Sequence, residues 1–149
     1  MTDKLTPEVR SRNMAAIKGK DTKPELAVRR GLHALGFRYR LHAGGLPGKP
    51  DMVFPRYKAV VFVNGCFWHG HDCGAARVPL SRVEYWGPKI GRTRARDTAA
   101  VAALDAMGWR SLTVWECCLR GKGAPGLEWT VETAAGWLAH GRVSTEIPG

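Results

Sequence analysis

Long apolar runs are absent from this chain: nowhere do hydrophobic residues continue for anything near the ~20 that a membrane helix needs. Residues 1–20 are polar and lack an apolar signal core, so export is not expected and the cytoplasm is the expected compartment. Acidic residues are few, 13 against 23 Lys and Arg, and the formal net charge is +10. Such an imbalance fits a polyanionic partner, whose counterions Lys and Arg displace, although a basic surface can also serve solubility alone. Cysteine is sparse, at Cys66, Cys73, Cys117 and Cys118. In a reducing compartment these are not expected to form disulfides, and thiols close to histidines read better as metal ligands. Repeats and low-complexity segments are also missing. The 44% hydrophobic content is too high for a disordered chain, and 149 residues suit a single domain, 1–149, with a core of its own.

Thr6-Pro7 opens a first helix with a hydroxyl cap and a proline in the first turn. It carries Val9, Met14 and Ile17 among basic residues, Arg12 included, and is too short to be stable alone. It must dock on the domain or order on a partner. Thr22-Lys23-Pro24-Glu25 opens a second helix that stops at Gly36, and Glu25, three residues after Thr22, fits a capping box. Phe37 to Leu41 alternates aromatic and basic residues as a strand does. After a Gly/Pro-rich loop, residues 51–54 and 59–63 read as antiparallel strands joined by a short turn, the second apolar enough to be central. Residues 74–84 read as irregular. Beyond Asp97 a helix runs to Met107 and a strand follows from Trp109 to Glu116, the crossover half of an α/β unit. A closing helix covers residues 128–140, and residues 142–149 read as a loose tail. The expected fold is therefore α/β, a small mixed central sheet flanked by helices, with sites at strand ends.

Cys66, His69, His71 and Cys73 fall within eight residues, with Cys117 and Cys118 ending a later strand. A structural zinc takes four N or S donors in a tetrahedron, which Cys66, His71, Cys73 and a late cysteine supply. Cys117 is the favoured late ligand and Cys118 a buried thiol; His69 is an alternative ligand, and four simply buried thiols are the metal-free alternative. Between the ligands, Phe67 and Trp68 either pack over the metal or protrude as rings that stack on bases.

Together these residues resemble the very-short-patch repair (Vsr) endonucleases, relatives of the PD-(D/E)XK restriction nucleases. The resemblance spans about residues 5–122. It rests on Arg12-Asn13-Met14 with Ile17, Asp21-Thr22 ahead of Glu25, and Leu46-Pro47-Gly48-Lys49-Pro50-Asp51. It continues through Gly65-Cys66-Phe67-Trp68-His69, Trp86 with Lys89-Ile90, Gly108-Trp109-Arg110 and Val114-Trp115-Glu116-Cys117. It implies a restriction-endonuclease-like core with a structural zinc, and an enzyme that nicks DNA 5′ of the thymine in a T:G mismatch left by deaminated 5-methylcytosine. By resemblance, Asp51 and the Val63 carbonyl hold Mg²⁺, His69 handles the attacking water and Glu25 orients a site histidine. Phe67, Trp68 and Trp86 wedge into the base stack from one groove and Met14, on a DNA-contacting segment over residues 1–20, from the other. Lys89 and the residue four positions on, here Thr93, contact the mismatched pair, while Arg12, Arg92, Arg94 and Arg96 grip phosphates. The implied setting is a monomer in the prokaryotic nucleoid, with a MutL-type repair protein as a possible partner.

The second strand ends Phe62-Val63-Asn64, without the D/E-x-K pair of restriction nucleases, which the Vsr branch lacks too. The chain departs from the Vsr pattern itself in two places. Asn64 stands where the Vsr pattern has a second histidine; its amide can orient a phosphate or a water but cannot exchange a proton at neutral pH. Thr93 stands where an asparagine is usual. Two other readings remain: a restriction endonuclease of unmodified duplex, and a zinc-stapled DNA-binding module without catalysis.

Overall fold

The structure is a computed structural model and describes residues 22–42, 44–66, 69, 71, 83–120 and 123–148, with side chains from residue 87 onward in the long helix. Among these residues lie three helices, α1 (Lys23–Ala34), α2 (Val83–Ala106) and α3 (Leu127–His140), and five strands. The strands are β1 (Arg40–Leu41), β2 (Met52–Phe54), β3 (Ala59–Asn64), β4 (Arg110–Trp115) and β5 (Thr145–Ile147), and they lie in the sheet in that order. β1, β2 and β3 pair antiparallel, whereas β3, β4 and β5 pair parallel. The expected mixed α/β sheet, the β2–β3 hairpin and the α2 crossover into a parallel neighbour are all present.

Side chains alternate across the sheet as the strand period demands. Met52 and Phe54, Ala59 and Val61, and Leu112 and Val114 face α1 and α3, where they meet Val28, Leu32, Val131, Ala134 and Leu138. Val53 and Val60 face the other way, onto Leu104 of α2 with Leu46, Phe62 and Trp109 around them. β3 is therefore covered on both faces, which explains its unbroken apolar sequence.

Two sequence motifs turn out to have work to do in the scaffold. Arg110 sends its guanidinium to the carbonyls of Trp137 (2.8 Å), Leu138 (3.0 Å) and Gly141 (2.6 Å), over the ring of Trp137. It thereby adds a donor to carbonyls at the C-terminal end of α3, where Trp137 also accepts from the Gly141 N–H, and ties that end to β4. Gly48, in the loop leading to Asp51, has φ of +79°, and a Cβ there would stand 2.7 Å from the Cβ of Ala100 in α2. Gly48→Ala is expected to lower unfolding stability by about 2 kcal/mol or more, from left-handed strain plus overpacking. Urea denaturation checks this.

Three expectations are corrected. The strand foreseen over Phe37–Leu41 shrinks to Arg40–Leu41, because Phe37 and Tyr39 pack as rings against Phe54 instead of pairing along the sheet edge. α2 begins at Val83, well before Asp97, and runs through Pro88, which deprives only the carbonyl one turn back of its donor. The supposed loose tail over residues 142–149 contains β5, which adds to β4 through the pairs Leu112–Thr145 and Val114–Ile147 and buries Ile147. The foreseen helix within residues 1–20 lies outside the described residues.

Candidate active site

Asp51 stands at the entry to β2 and is 8% exposed. The backbone N–H of Val63, on the adjoining β3, donates to its Oδ2 at 2.6 Å. Burial, and behind it the neighbouring Glu25 carboxylate, push the Asp51 carboxyl up to about 8 from 3.8, against the opposing pull of the Val63 N–H. Two carboxylates drawn together out of water in this way make a site that a cation would relieve.

Glu25 reaches it from the first turn of α1 and is 1% exposed. Thr22 caps the helix by accepting from the Glu25 N–H at 3.4 Å, one half of the expected box. The Glu25 side chain turns inward, where its Oε2 accepts from Arg29 Nη1 at 3.0 Å and lies 3.1 Å from His42 Nε2. Ligand atoms of Glu25, His42 and Asp51 all fall within 4.8 Å of one another.

Sequence reasoning missed His42. It follows β1, with φ of +48°, and its N–H donates to the Asp51 carbonyl at 3.2 Å. The signal was the register: Leu41 pairs with Met52, so the next residue outward on β1 faces Asp51.

Along the sheet from Asp51, Asn64 ends β3, level with Trp115 of β4, and is buried. It lines a cavity of about 810 Å³ between the ends of β3 to β5 and α2, shared with His69, His71, Arg94, Asp97 and Trp115. His69 Nδ1 lies 2.6 Å from Asp97 Oδ2. A carboxylate at Nδ1 holds that nitrogen as N–H and leaves Nε2 with its lone pair for a proton. Asp97 also went unread in the sequence. It is the lone acid in the basic stretch of α2 that holds Arg92, Arg94 and Arg96, and that isolation was the available clue.

Cys66, His71 and Cys117 converge beside this cavity, their ligand atoms also within 4.8 Å of one another. Cys117 Sγ is 3.6 Å from His71 Nδ1, and the His71 ring stacks on Trp115 at 4.1 Å. Cys118 points away into the core, where burial pushes its thiol up to about 11. The donor set, two sulfurs and an imidazole nitrogen, suits zinc better than a hard cation.

Lys89, Arg92, Arg94 and Arg96 are exposed along α2. Thr93 donates its hydroxyl to the Lys89 carbonyl at 3.1 Å. Arg12, Met14, Phe67, Trp68 and Cys73, and the side chain of Trp86, lie outside the described residues.

The raised Asp51 carboxyl predicts a pH dependence. Below about 4 the group is protonated both folded and unfolded; between about 4 and about 8 only the folded chain holds the proton. Its contribution to stability is therefore present at low pH and lost as pH rises through about 8. Melting temperatures of metal-free wild type and Asp51→Asn at pH 5 and pH 9 should show the difference moving in favour of Asn at the higher pH.

Comparison with known proteins bears on this arrangement. The family model described as DNA mismatch endonuclease Vsr matches residues 2–75. The type II nicking enzyme V.XorIIP of Xanthomonas oryzae pv. oryzae is 53% identical over 124 residues, covering 83% of this chain and 91% of that protein. The DNA mismatch endonuclease Vsr of Escherichia coli K12 is 39% identical over 147 residues, covering 99% of this chain and 94% of its own length. The type II nicking enzyme V.NmeAIP of Neisseria meningitidis is 43% identical over 122 residues, or 82% and 87% of the two chains. A mixed sheet with buried carboxylates at its strand ends, together with these matches, defines a DNA endonuclease, a hydrolase. The chain belongs to the Vsr mismatch endonuclease family. None of its described helices is long and apolar enough to cross a membrane.

Proposed function

We propose that this protein is a Mg²⁺-dependent endonuclease that nicks one DNA strand 5′ of the thymine in a T:G mismatch, in repair of deaminated 5-methylcytosine. The observation that carries the reading is the buried Asp51 carboxyl at the start of β2 beside the buried Glu25 of α1: a divalent cation would take the place of the proton that burial keeps on Asp51 and balance the charge of both groups. Asp51 and the Val63 carbonyl would hold the ion, and the N–H of Val63 fixes the carboxylate's orientation. When bound, the Mg²⁺ supplies charge neutralisation at the scissile phosphate and at the leaving oxygen.

The remaining work falls to side chains. His69, oriented by Asp97, takes a proton from the attacking water through Nε2, and Asp97 stabilises the imidazolium that results. Asn64, on the wall of the same cavity, orients a phosphate oxygen or the water by hydrogen bonding and moves no proton. Glu25 holds His42 and Arg29 in place. Zinc, held by Cys66, His71 and Cys117 with Cys73 as the fourth ligand, fixes the turn that carries His69.

Lys89 and Thr93 contact the mismatched pair, and Arg12, Arg92, Arg94 and Arg96 contact phosphates. Met14, Phe67, Trp68 and Trp86 enter the stack, which opens more easily at a mismatch than at a paired step. Because Thr93 already bonds back to Lys89, its contact with bases is weaker than a longer amide would make, which broadens the mismatch preference. One domain spans residues 1–149, with residues 1–20 contacting DNA. The protein acts as a cytoplasmic monomer in the nucleoid, with a MutL-type protein as a repair partner.

The test is a nicking assay on matched duplexes with T:G, other mismatched and fully paired centres, with and without Mg²⁺. Single-strand nicking confined to mismatched duplex supports the reading. Double-strand cleavage of paired duplex would identify a restriction enzyme instead, and binding without cleavage under any divalent metal would leave only a DNA-binding module.

A further inference from the structure

Asp51 and Glu25 share their buried corner with an imidazole, and that changes which ion the corner suits. His42 Nε2 stands 3.1 Å from Glu25 Oε2. Neighbouring ligands on one octahedral ion, with bonds of about 2.1 Å at right angles, stand about 3 Å apart. All three ligand atoms lie within 4.8 Å of one another, against the ~4.2 Å between opposite ligands of such an ion, so at most small side-chain adjustments close the set.

His42 is also held in position. Its backbone N–H is bonded to the Asp51 carbonyl and its ring to Glu25, so the nitrogen is already aimed at the carboxylates. The other histidines near the strand ends are engaged elsewhere, His69 with Asp97 and His71 with Cys117 and Trp115.

We infer that His42 is a metal ligand, and that Glu25, His42 and Asp51 form an O,N,O site that takes a first-row transition dication such as Mn²⁺ or Co²⁺ in preference to Mg²⁺. This rests on the reading of Asp51 as the anchor of a cation and adds the ligand that sets its selectivity. Mg²⁺ binds oxygen and seldom exchanges water for imidazole, whereas first-row ions gain from a nitrogen donor. Mg²⁺ still occupies the oxygen positions where it is abundant, but Mn²⁺ binds more tightly.

Pulsed EPR on the full, zinc-loaded protein with Mn²⁺ tests this directly. Zinc fills the cysteine cluster, and Mn²⁺ has little affinity for thiolates. Wild type should show nitrogen coupling to bound Mn²⁺, shifting from ¹⁴N to ¹⁵N when the protein is grown with ¹⁵N-histidine. By competition, Mn²⁺ should bind at least about tenfold more tightly than Mg²⁺. His42→Asn, which tolerates the positive φ, should lose the coupling and bring the two affinities within about threefold of each other; His42→Gln is the second variant. Mn²⁺ bound without histidine coupling, or coupling that persists unchanged in both variants, overturns the inference. Those outcomes leave the Asp51 reading standing if Asp51→Asn still abolishes nicking; nicking that survives Asp51→Asn overturns the reading beneath it.

Discussion

Asp51→Asn is expected to abolish nicking, by roughly 10³-fold or more, while leaving the fold intact, since a cation at a scissile phosphate contributes several kcal/mol to the barrier reduction. The substitution keeps a side-chain oxygen to accept from the Val63 N–H, so the β2–β3 junction retains its bond. It removes a carboxyl that burial and Glu25 hold at about 8. Above that pH the metal-free variant should therefore melt no lower than metal-free wild type. Activity lost together with a large fall in melting temperature would instead make Asp51 a structural residue that merely turns the chain after Pro50. Activity retained would remove it from the chemistry altogether.

His69 supplies the second large effect. His69→Gln should slow nicking by roughly 10²- to 10⁴-fold, the range for loss of a general base, with DNA affinity changed little. Asp97→Asn should slow it less, by roughly ten- to hundredfold, the range for a partner that orients a functional imidazole. Its loss should fall on kcat and not on KM, since Asp97 acts through the 2.6 Å contact with His69. The two losses should also be far from additive, because Asp97 has little to orient once the imidazole is gone. Single-turnover nicking of a T:G duplex by both variants and the double variant measures this. Additive losses would show that Asp97 works independently, as one more charge on α2.

Much of the scaffold was legible because its hydrophobic pattern is local. The apolar β3, the short turn before it and the helix–strand passage into β4 each carry their own signal, and the parallel β3–β4 pair follows from the crossover. The start of α2 was hidden by Gly87, Pro88 and Gly91, residues of low helix propensity that the long helix accommodates. β5 was hidden because three residues, two of them exposed, make no periodic pattern; only its docking on β4 makes them a strand.

The site divides along the same line. The convergence of Cys66, His71 and Cys117 could be foreseen because two of the three share one tight turn and the third ends a neighbouring strand. Glu25 beside Asp51 was a matter of family resemblance, since its spacing from Thr22 equally fits a helix cap. His42 and Asp97 left only faint traces in the sequence. The first depends on the β1–β2 register across a loop, and the second on a helix bringing an apparently solvated acid over the His69 turn. Both are contacts between residues far apart in sequence, where periodicity says nothing.

The central claim is that Asp51 anchors a divalent cation against the DNA backbone. The most direct measurement is a crystal structure of the protein on an uncleaved T:G duplex with Mn²⁺, the ion located by its anomalous scattering. The account predicts an ion bonded both to an Asp51 carboxylate oxygen and to a non-bridging oxygen of the phosphate 5′ of the mismatched thymine. An ion bound elsewhere, or an Asp51 carboxylate facing away from that phosphate, would contradict it.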